Sequence, residues 1–226
     1  MTITALVPIK SNSTRLPNKN FKFFNGKPLF HHVLETLQNT DEIGLIYVNT
    51  DSIQVKNDCV HLFSKVRIIE RPEHLIEDEI TMNTIIDYDL SRIEGEHFLQ
   101  THCTNPLLSK KTIRECIQSY LGNLENHDSL LSVDCIQKRT YRKNGTAINH
   151  DSEIMLQTQE LEPIYIENSN LFLFSRASFY QAGKNRVGKT PLFYPTPTLE
   201  SIDIDYPEDF TLAELIAKNR NNVHSE

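Results

Sequence analysis

The chain has 226 residues, of which 38% are hydrophobic and 23% charged; this is enough for one large core and excludes a collagen-like, coiled-coil or largely disordered protein. No apolar run approaches the roughly 18 to 20 residues that a bilayer-spanning helix needs. The net charge of −7 argues against a surface that binds nucleic acid or membranes nonspecifically, because such a surface needs a large positive field.

Strands and helices alternate along the first part of the chain. Residues 3–9 form an apolar run without alternation, which is typical of a strand buried on both faces of a parallel sheet. Pro28 precedes a stretch of helical apolar spacing and suits the first helical turn. The predicted elements, in order, are strand 3–9, helix 29–37, strand 44–50, helix 53–63, strand 66–69, helix 81–92, strand 97–100, helix 110–120 and strand 129–133.

This alternation stops at residues 137–167, which are polar and show no clear period. We interpret them as an inserted arm. Apolar periodicity then returns, and it predicts strand 170–174, helix 176–182, strand 192–194 and helix 207–218. We therefore predict one α/β domain over residues 1–226, with a mostly parallel sheet sandwiched by helices and an arm at 137–167.

Two features bear on the cellular compartment. Cys59, Cys103, Cys116 and Cys135 form neither a CxxC pair nor a dense disulfide pattern, so we expect reduced thiols. The first residues lack a basic leader and a long apolar segment. Both features lead us to expect a cytoplasmic protein.

Residues 183–190 match the phosphate-loop pattern G-x-x-x-x-G-K-[ST] letter for letter. That loop must follow a buried strand and begin a helix, so that backbone amides point at the phosphates. Here the preceding residues have a helical pattern, and the following ones include Pro191, Pro195 and Pro197, which cannot continue a helix. We therefore reject a nucleoside triphosphatase and predict a basic surface loop.

Positive charge is concentrated in residues 10–20, directly after the first strand. Lys10, Arg15 and Lys19 lie there among several hydroxyl and amide side chains. In open α/β sheets, ligands bind beyond the carboxyl ends of the strands, and cations at that place stabilise a triphosphate. The loop alone fits either a triphosphate site or a solvated basic turn.

The chain resembles the CMP-sugar synthetases, which are the acylneuraminate and 3-deoxy-manno-octulosonate cytidylyltransferases. The strongest likenesses are Ser13-Thr14-Arg15-Leu16-Pro17 in the first loop and Ser201-Ile202-Asp203-Ile204-Asp205 near the end. The similar segments occur in the family's order, and they are residues 13–20, 25–29, 49–52, 71–78, 99–106, 168–174 and 201–210. The resemblance implies a nucleotide-diphospho-sugar transferase fold, which is GT-A-like and Rossmann-related.

The resemblance also implies an activity, in which CTP and Mg²⁺ activate an acidic 2-keto-3-deoxy sugar and release pyrophosphate. The implied partners are CTP, the sugar acid and a second copy of the chain, because the arm contributes to a homodimer in this family. The implied pathway is cell-surface polysaccharide biosynthesis. Neither nucleic acid nor a membrane is expected as a partner.

The resemblance assigns roles to individual residues. The implied catalytic residues are Lys10, Lys19, Asp203 and Asp205. The implied nucleotide-binding residues are Lys10, Ser13, Arg15, Lys19, Asn20, Arg71, Asp78 and Gln100, and Gln100 also lies near the sugar. Asn168 and either Gln157 or Gln159 are candidates for binding sugar hydroxyls, although each has the alternative of satisfying backbone groups of the arm.

The residues themselves also point to a metal at Asp203 and Asp205. On a strand, residues two apart face the same side, so the two carboxylates would lie together with Ile204 turned away. Two such charges repel unless a cation lies between them, and Mg²⁺ prefers carboxylate and phosphate oxygens. The alternative is that Asp205 caps the following helix.

Some positions depart from the family pattern. Lys10 stands where the family has an arginine, and lysine cannot form the bidentate fork to phosphate. Met82 and Ile166 replace a serine and an arginine of the acylneuraminate enzymes. Two other functions therefore stay open: a glycosyltransferase that uses Asp203-Ile204-Asp205 as its metal motif, and a catalytically silent nucleotide-binding protein.

Overall fold

The computed structural model describes residues 2–13 and 15–223, so Thr14 of the first motif lies outside the described residues. The strands are β1 Ile3–Ile9, β2 Phe23–Phe24, β3 Lys27–Pro28, β4 Ile43–Thr50, β5 Val66–Glu70, β6 His97–Thr101, β7 Ser129–Ile136, β8 Ile164–Ser175 and β9 Pro191–Pro195. The helices are α1 Leu29–Gln38, α2 Ile53–Leu62, α3 Met82–Leu90, α4 Lys110–Gly122, α5 Arg176–Gln181 and α6 Pro207–Val223.

A seven-stranded sheet has the order β5-β4-β1-β6-β8-β7-β9. The pairs β5/β4, β4/β1, β1/β6 and β7/β9 are parallel, whereas β8 is antiparallel to both of its neighbours. The sheet is thus mostly parallel, and the predicted α/β fold class is confirmed. Among the described residues, no helix combines the length and the apolar character needed to cross a bilayer.

Hydrophobic cores lie on both faces of the sheet. On one face, Val33 of α1, Val55 of α2 and Ile113 of α4 pack against alternate residues of the central strands. On the other face, Ile86 of α3 and Phe179 of α5 pack against the remaining strand residues. Burial on both faces explains why β1 reads as an unbroken apolar run.

A third apolar cluster lies at the carboxyl ends of the strands. It joins Leu16 of the first loop, Leu107 of the loop after β6, and Ile204, which is fully buried. Ala213 and Ala217 of α6 complete it from the C-terminal helix. The cluster therefore brings the first loop and the residues around Ile204 to the same edge of the sheet.

The structure corrects two details of the sequence prediction. The strand geometry used to place Asp203 and Asp205 on one side does not form: residues 201–205 are irregular, and the Ile204 amide donates to the Thr104 carbonyl at 2.9 Å instead of to a neighbouring strand. The predicted arm, 137–167, overlaps β8, whose residues 164–167 pair with β7. Residues 137–163 thus connect the two strands, and Asn149 links their ends by donating to the carbonyl oxygens of Lys138 at 2.9 Å and Glu162 at 2.8 Å.

The predicted context of residues 183–190 is confirmed. They follow helix α5, and Gly183 adopts a φ of +73°, which commonly ends a helix. Strand β9 begins directly afterwards at Pro191. No helix therefore starts at Lys189-Thr190, and the segment lacks the geometry of a phosphate loop.

Asp89 of α3 is a buried carboxylate with an unusual titration. It is 1% exposed and accepts a hydrogen bond from Asn49 Nδ2 at 2.5 Å. Burial raises the pKa of Asp89 to about 7, although this hydrogen bond and the charges of Arg71 and Arg92 oppose the shift. From the ordinary carboxyl pKa up to about 7, the folded protein keeps a proton that the unfolded chain has released, so stability falls as the pH rises.

Asp89→Asn removes this titration. The free energy of unfolding of the variant, measured relative to the parent protein, should therefore rise by about 1 kcal/mol per pH unit between pH 5 and 7. Urea denaturation at several pH values in that range measures it. Asp87→Asn, on the same helix, is the control and should show no such slope. Parallel pH curves for Asp89→Asn and the parent would contradict this assignment.

Candidate active site

A cleft of about 200 Å³ opens beyond the carboxyl ends of β1 and β6. The first loop forms one wall, and the loop after β6 forms the other with His102, Cys103 and Thr104. In α/β sheets, ligands bind at this edge. The predicted nucleotide-binding residues that line the cleft are Lys10, Ser13, Arg15, Lys19, Asn20 and Asp78.

Lys19 is the most buried of the cleft's cations, at 7% exposure. It begins a short 3₁₀ turn, which follows Asn18 at a φ of +54°, a left-handed conformation that asparagine tolerates. The Lys19 ammonium donates to the carbonyl oxygen of Ile204 and to Asp205 Oδ1, the latter at 3.0 Å. A buried cation of the first loop thus binds directly to the predicted metal segment.

Asn20 fixes the shape of the first loop. Its Nδ2 donates to the Lys10 carbonyl oxygen at 2.8 Å, and its Oδ1 accepts from the Cys103 thiol at 3.2 Å. Lys10 in turn forms an ion pair with Asp78, which belongs to the segment after β5. The two walls of the cleft are therefore linked by Asn20, and Asp78 balances the charge of Lys10.

Asp203 and Asp205 lie on either side of the buried Ile204, with different surroundings. Asp205 forms ion pairs with Arg15 and Lys19. Asp203 Oδ1 is buried and has no hydrogen-bond partner among the described residues. Burial raises the pKa of the Asp203 carboxyl above its usual range, and the nearby charge of Asp205 adds to this effect, whereas a hydrogen bond from Thr104 and the charges of Lys19 and Arg15 oppose it.

The alternative role of Asp205 as a helix cap is not what the structure shows. Asp209 Oδ2, from the first turn of α6, accepts from the backbone amides of Asp205 at 3.0 Å and Tyr206 at 2.8 Å. Asp209 therefore caps α6, and the carboxylate of Asp205 forms ion pairs with Arg15 and Lys19 of the first loop.

Arg71 lies beneath the cleft rather than in it. It is 7% exposed, and it donates through Nε to Asn49 Oδ1 at 2.6 Å and through Nη2 to the Asn49 carbonyl oxygen at 3.1 Å. It also lines an adjoining pocket, which shares Lys10 and Asp78 with the cleft and contains Met82. Through these hydrogen bonds, Arg71 stabilises the carboxyl end of β4.

The sequence did not single out Ser11 and Asp51, which support the first loop from below. The Ser11 amide donates to Asp51 Oδ1 at 2.8 Å, and the Ser11 hydroxyl donates to Asp51 Oδ2. Burial favours the neutral acid, but these two hydrogen bonds outweigh it and hold the pKa of Asp51 below its usual range. Asp51 belongs to the segment 49–52 that resembles the family, and this was the available signal.

Gln100 is fully buried, and its side chain already has partners. Its Oε1 accepts from Arg186 Nη1 at 2.5 Å, and its Nε2 lies 3.1 Å from His102 Nε2. Burial lowers the pKa of His102 to about 3, and the positive charges of Arg186 and Lys19 act in the same direction. His102 is therefore neutral and lines the cleft, whereas Gln100 lies behind it and does not line the cleft.

His102 and Arg186 are residues that the sequence reasoning missed. His102 lies in the longer loop between Gln100 and Thr104, and this extra length was the signal available for it. Arg186 lies within the rejected phosphate-loop segment. No local pattern connects it with Gln100.

Asn168 and Gln157, the other predicted sugar-binding residues besides Gln100, lie elsewhere. Asn168 is 9% exposed, and its Nδ2 donates to Thr196 Oγ1 at 2.7 Å and to Asp134 Oδ1 at 3.0 Å. Gln157 is exposed on the segment between β7 and β8, where its Oε1 accepts from Gln159. Neither residue lines the cleft of this chain.

The sequence is similar to those of known nucleotide-sugar enzymes. The family model described as Cytidylyltransferase matches residues 4–224. An N-acylneuraminate cytidylyltransferase of Streptococcus agalactiae serotype V is 25% identical over 91% of this chain and 51% of its own length. A CMP-N,N'-diacetyllegionaminic acid synthase of Legionella pneumophila is 26% identical over 95% of both chains. The chain thus spans about half the length of the first of these relatives.

Solved structures share the fold. A CMP:2-keto-3-deoxy-manno-octonic acid synthetase complexed with CTP has a TM-score of 0.69 at 12% identity, over 97% of this chain and 100% of its own. A 4-diphosphocytidyl-2C-methyl-D-erythritol synthase of Anaerococcus prevotii has a TM-score of 0.70 at 10% identity, over 96% of each chain. The predicted nucleotidyltransferase fold is confirmed, and because the family model covers nearly the whole sequence, the chain belongs to the cytidylyltransferase family.

Proposed function

We propose that this protein is a CMP-sugar synthetase, which transfers the cytidylyl group of CTP to an acidic sugar of the 2-keto-3-deoxy class. The observation that carries the proposal is the meeting of Lys19 with Asp205, 186 residues apart, at one cleft. A triphosphate needs both cations and a metal-binding carboxylate. The names of the relatives support the nucleotide and the class of sugar.

The reaction is a direct displacement at phosphorus. The acceptor hydroxyl oxygen attacks the α-phosphorus of CTP, and a new P–O bond forms. The bond from this phosphorus to the oxygen that bridges it to the β-phosphate breaks, pyrophosphate leaves with that oxygen, and the hydroxyl proton passes to water. Lys10, Arg15 and Lys19 stabilise the negative charge of the phosphates, and such electrostatic stabilisation provides most of the catalysis in phosphoryl transfer.

Asp203 and Asp205 have the chemistry of a Mg²⁺ site. Asp203 Oδ1 is buried without a partner among the described residues, and such an oxygen is accounted for when a cation binds it. No group of three or more histidine, cysteine or acidic residues suited to a metal is found in residues 2–13 and 15–223. Two carboxylates leave room for phosphate oxygens and water, as Mg²⁺ prefers. Bound Mg²⁺ supplies positive charge to the phosphates.

The same proposal includes a homodimer. The segment between β7 and β8 exposes Ile148, Ile154 and Met155, and Met155 is 87% exposed. Phe193 of β9 and Ile166 of β8 are also exposed. Apolar side chains so exposed favour a protein partner, and the resemblance indicates a second copy of this chain. We place the enzyme in the cytoplasm and its product in cell-surface polysaccharide biosynthesis.

The central test is a pyrophosphate-release assay with CTP, Mg²⁺ and a panel of sugar acids. The panel contains an N-acylneuraminate, N,N'-diacetyllegionaminate and 8-amino-3,8-dideoxy-manno-octulosonate. We expect one pyrophosphate per CMP-sugar formed with at least one acid, and much slower release with ATP, GTP or UTP. Silence with every nucleotide contradicts the proposal. Transfer from a nucleotide diphosphosugar without pyrophosphate indicates the glycosyltransferase instead.

Asp203→Asn tests the metal role. We expect kcat/KM to fall by about 100-fold or more, because an amide cannot supply the negative oxygen that Mg²⁺ needs. Since burial already disfavours the charged carboxyl, the Tm of the ligand-free variant should not decrease. Activity measured against Mg²⁺ concentration, with thermal unfolding, separates the two effects.

The control for this variant is Asp41→Asn, which removes an exposed carboxylate paired with Lys110 and Arg114. It should leave the activity unchanged. An Asp203→Asn protein with a lower Tm and an unchanged response to Mg²⁺ would show a structural role and count against the metal site.

Met155→Arg tests the dimer, because it places a positive charge in the exposed apolar surface. Light scattering should give a mass twice the 26.1 kDa of one chain for the parent protein, and a shift toward the monomer for the variant. Val60→Arg on α2, also at an exposed apolar residue, is the control and should remain dimeric. A monomeric parent protein would contradict the proposal.

A further inference from the structure

Arg186 is a partly buried arginine with no role in the reaction proposed above. Its guanidinium carbon lies 3.7 Å from the centre of the Phe172 ring, and its Nη1 donates to Gln100 Oε1 at 2.5 Å. Gln100 and Phe172 are directly paired across β6 and β8. The side chain is thus oriented by two neighbouring residues of the central sheet, although Arg186 itself belongs to the loop after α5.

The charge of Arg186 is not balanced by an ion pair. Among the described residues, no carboxylate oxygen lies within 4.0 Å of its guanidinium. Burial lowers its pKa to about 10, and the charge of Glu167, which is exposed, opposes this only in part. A desolvated cation in this state gains stability when an anion binds to it.

Arg176 shows what a structural arginine on the same face of the sheet looks like. It lies over Phe98 and donates to three backbone carbonyl oxygens: those of Leu90 at 2.7 Å, Ile93 at 2.8 Å and Gly95 at 3.0 Å. Its guanidinium is therefore occupied by the protein. Arg186, by contrast, has one side-chain hydrogen bond to the described residues, so most of its fork of donors is available to a ligand.

A short series of contacts connects Arg186 with the cleft. Gln100 lies between Arg186 and His102, and His102 lines the cleft close enough to Lys19 for that charge to lower its pKa. Lys10, Arg15 and Lys19, the cations proposed to bind the phosphates, belong to the first loop and line the cleft. Arg186 belongs to the loop after α5 and is joined to the cleft through Gln100 and His102 instead.

We propose that Arg186 binds the carboxylate of the acidic acceptor, with Gln100 and Phe172 holding its guanidinium in place. A planar guanidinium matches the two oxygens of a carboxylate, and two parallel hydrogen bonds fix the orientation of the bound acid. This contact orients the acceptor hydroxyl relative to the α-phosphorus. It also explains selection of an acid over a neutral sugar. The proposal rests on the proposed function, whose acceptor is a sugar acid.

The test compares binding of an acid with that of its methyl ester, which has nearly the same shape and no charge. The probe is the acid of the panel with the fastest turnover, or an N-acylneuraminate if none is turned over. Calorimetry should show the parent binding the acid roughly 10- to 100-fold more tightly than the ester, as a charged hydrogen bond provides. Arg186→Gln should reduce this ratio to near one, with the affinity for CTP unchanged.

Lys184→Gln is the matched control, because it removes one positive charge from the same loop at an exposed residue paired with Asp87. It should keep the parent ratio. Arg186→Lys keeps the charge without the fork and should give an intermediate ratio; it replaces the glutamine variant if that protein does not fold. Equal weakening of acid and ester, with the ratio preserved, would show a structural role and overturn the proposal.

The two proposals fail in different ways. Absence of turnover with every acid, together with a preference for the acid that Arg186→Gln abolishes, contradicts the enzyme and supports the carboxylate site. Turnover in a parent protein that binds acid and ester equally well supports the enzyme and overturns the role of Arg186. Absence of binding by every acid also overturns it.

Discussion

Burial of Ile204 between two aspartates is the interaction on which the cleft depends. Ile204 packs with Leu16 and Leu107, and a buried isoleucine contributes roughly 1.5–3 kcal/mol. This apolar contact places the carboxylates of Asp203 and Asp205 beside the first loop, where like charges alone would not hold them. The ammonium of Lys19 then binds both the Ile204 carbonyl and Asp205, so hydrophobic packing and charge pairing stabilise the same arrangement.

Two polar groups near the cleft have incomplete contacts with the protein. Asp203 Oδ1 lacks a partner among the described residues, and the guanidinium of Arg186 lacks an ion pair there. One of these groups is acidic and the other is basic. Uncompensated groups reduce stability, and their retention is expected where a ligand completes their contacts. The cation proposed at Asp203 and the acid proposed at Arg186 would complete both sets of contacts.

Most elements of the fold could be predicted from the sequence, because strands buried on both faces form apolar runs and helices show a distinct period. Element ends were less accurate. The start of β8 was missed because residues 164–167 lie at the edge of the arm and have half-buried or exposed side chains, so they show no buried apolar run. The strand geometry used for Asp203 and Asp205 does not form, since the Ile204 amide donates to the Thr104 carbonyl and the Ile204 carbonyl accepts from Lys19.

By itself, the sequence determined the α/β alternation, the cationic first loop and the order of the motifs, because each depends on residues close together in the chain. Tertiary structure decided which of them meet. Asp205 pairs with Arg15, 190 residues away, and Gln100 accepts from Arg186, 86 residues away. The tertiary structure also places Asn168 and Gln157 outside the cleft. Such contacts depend on how the strands are ordered in the sheet, and no local spacing of residues records that order.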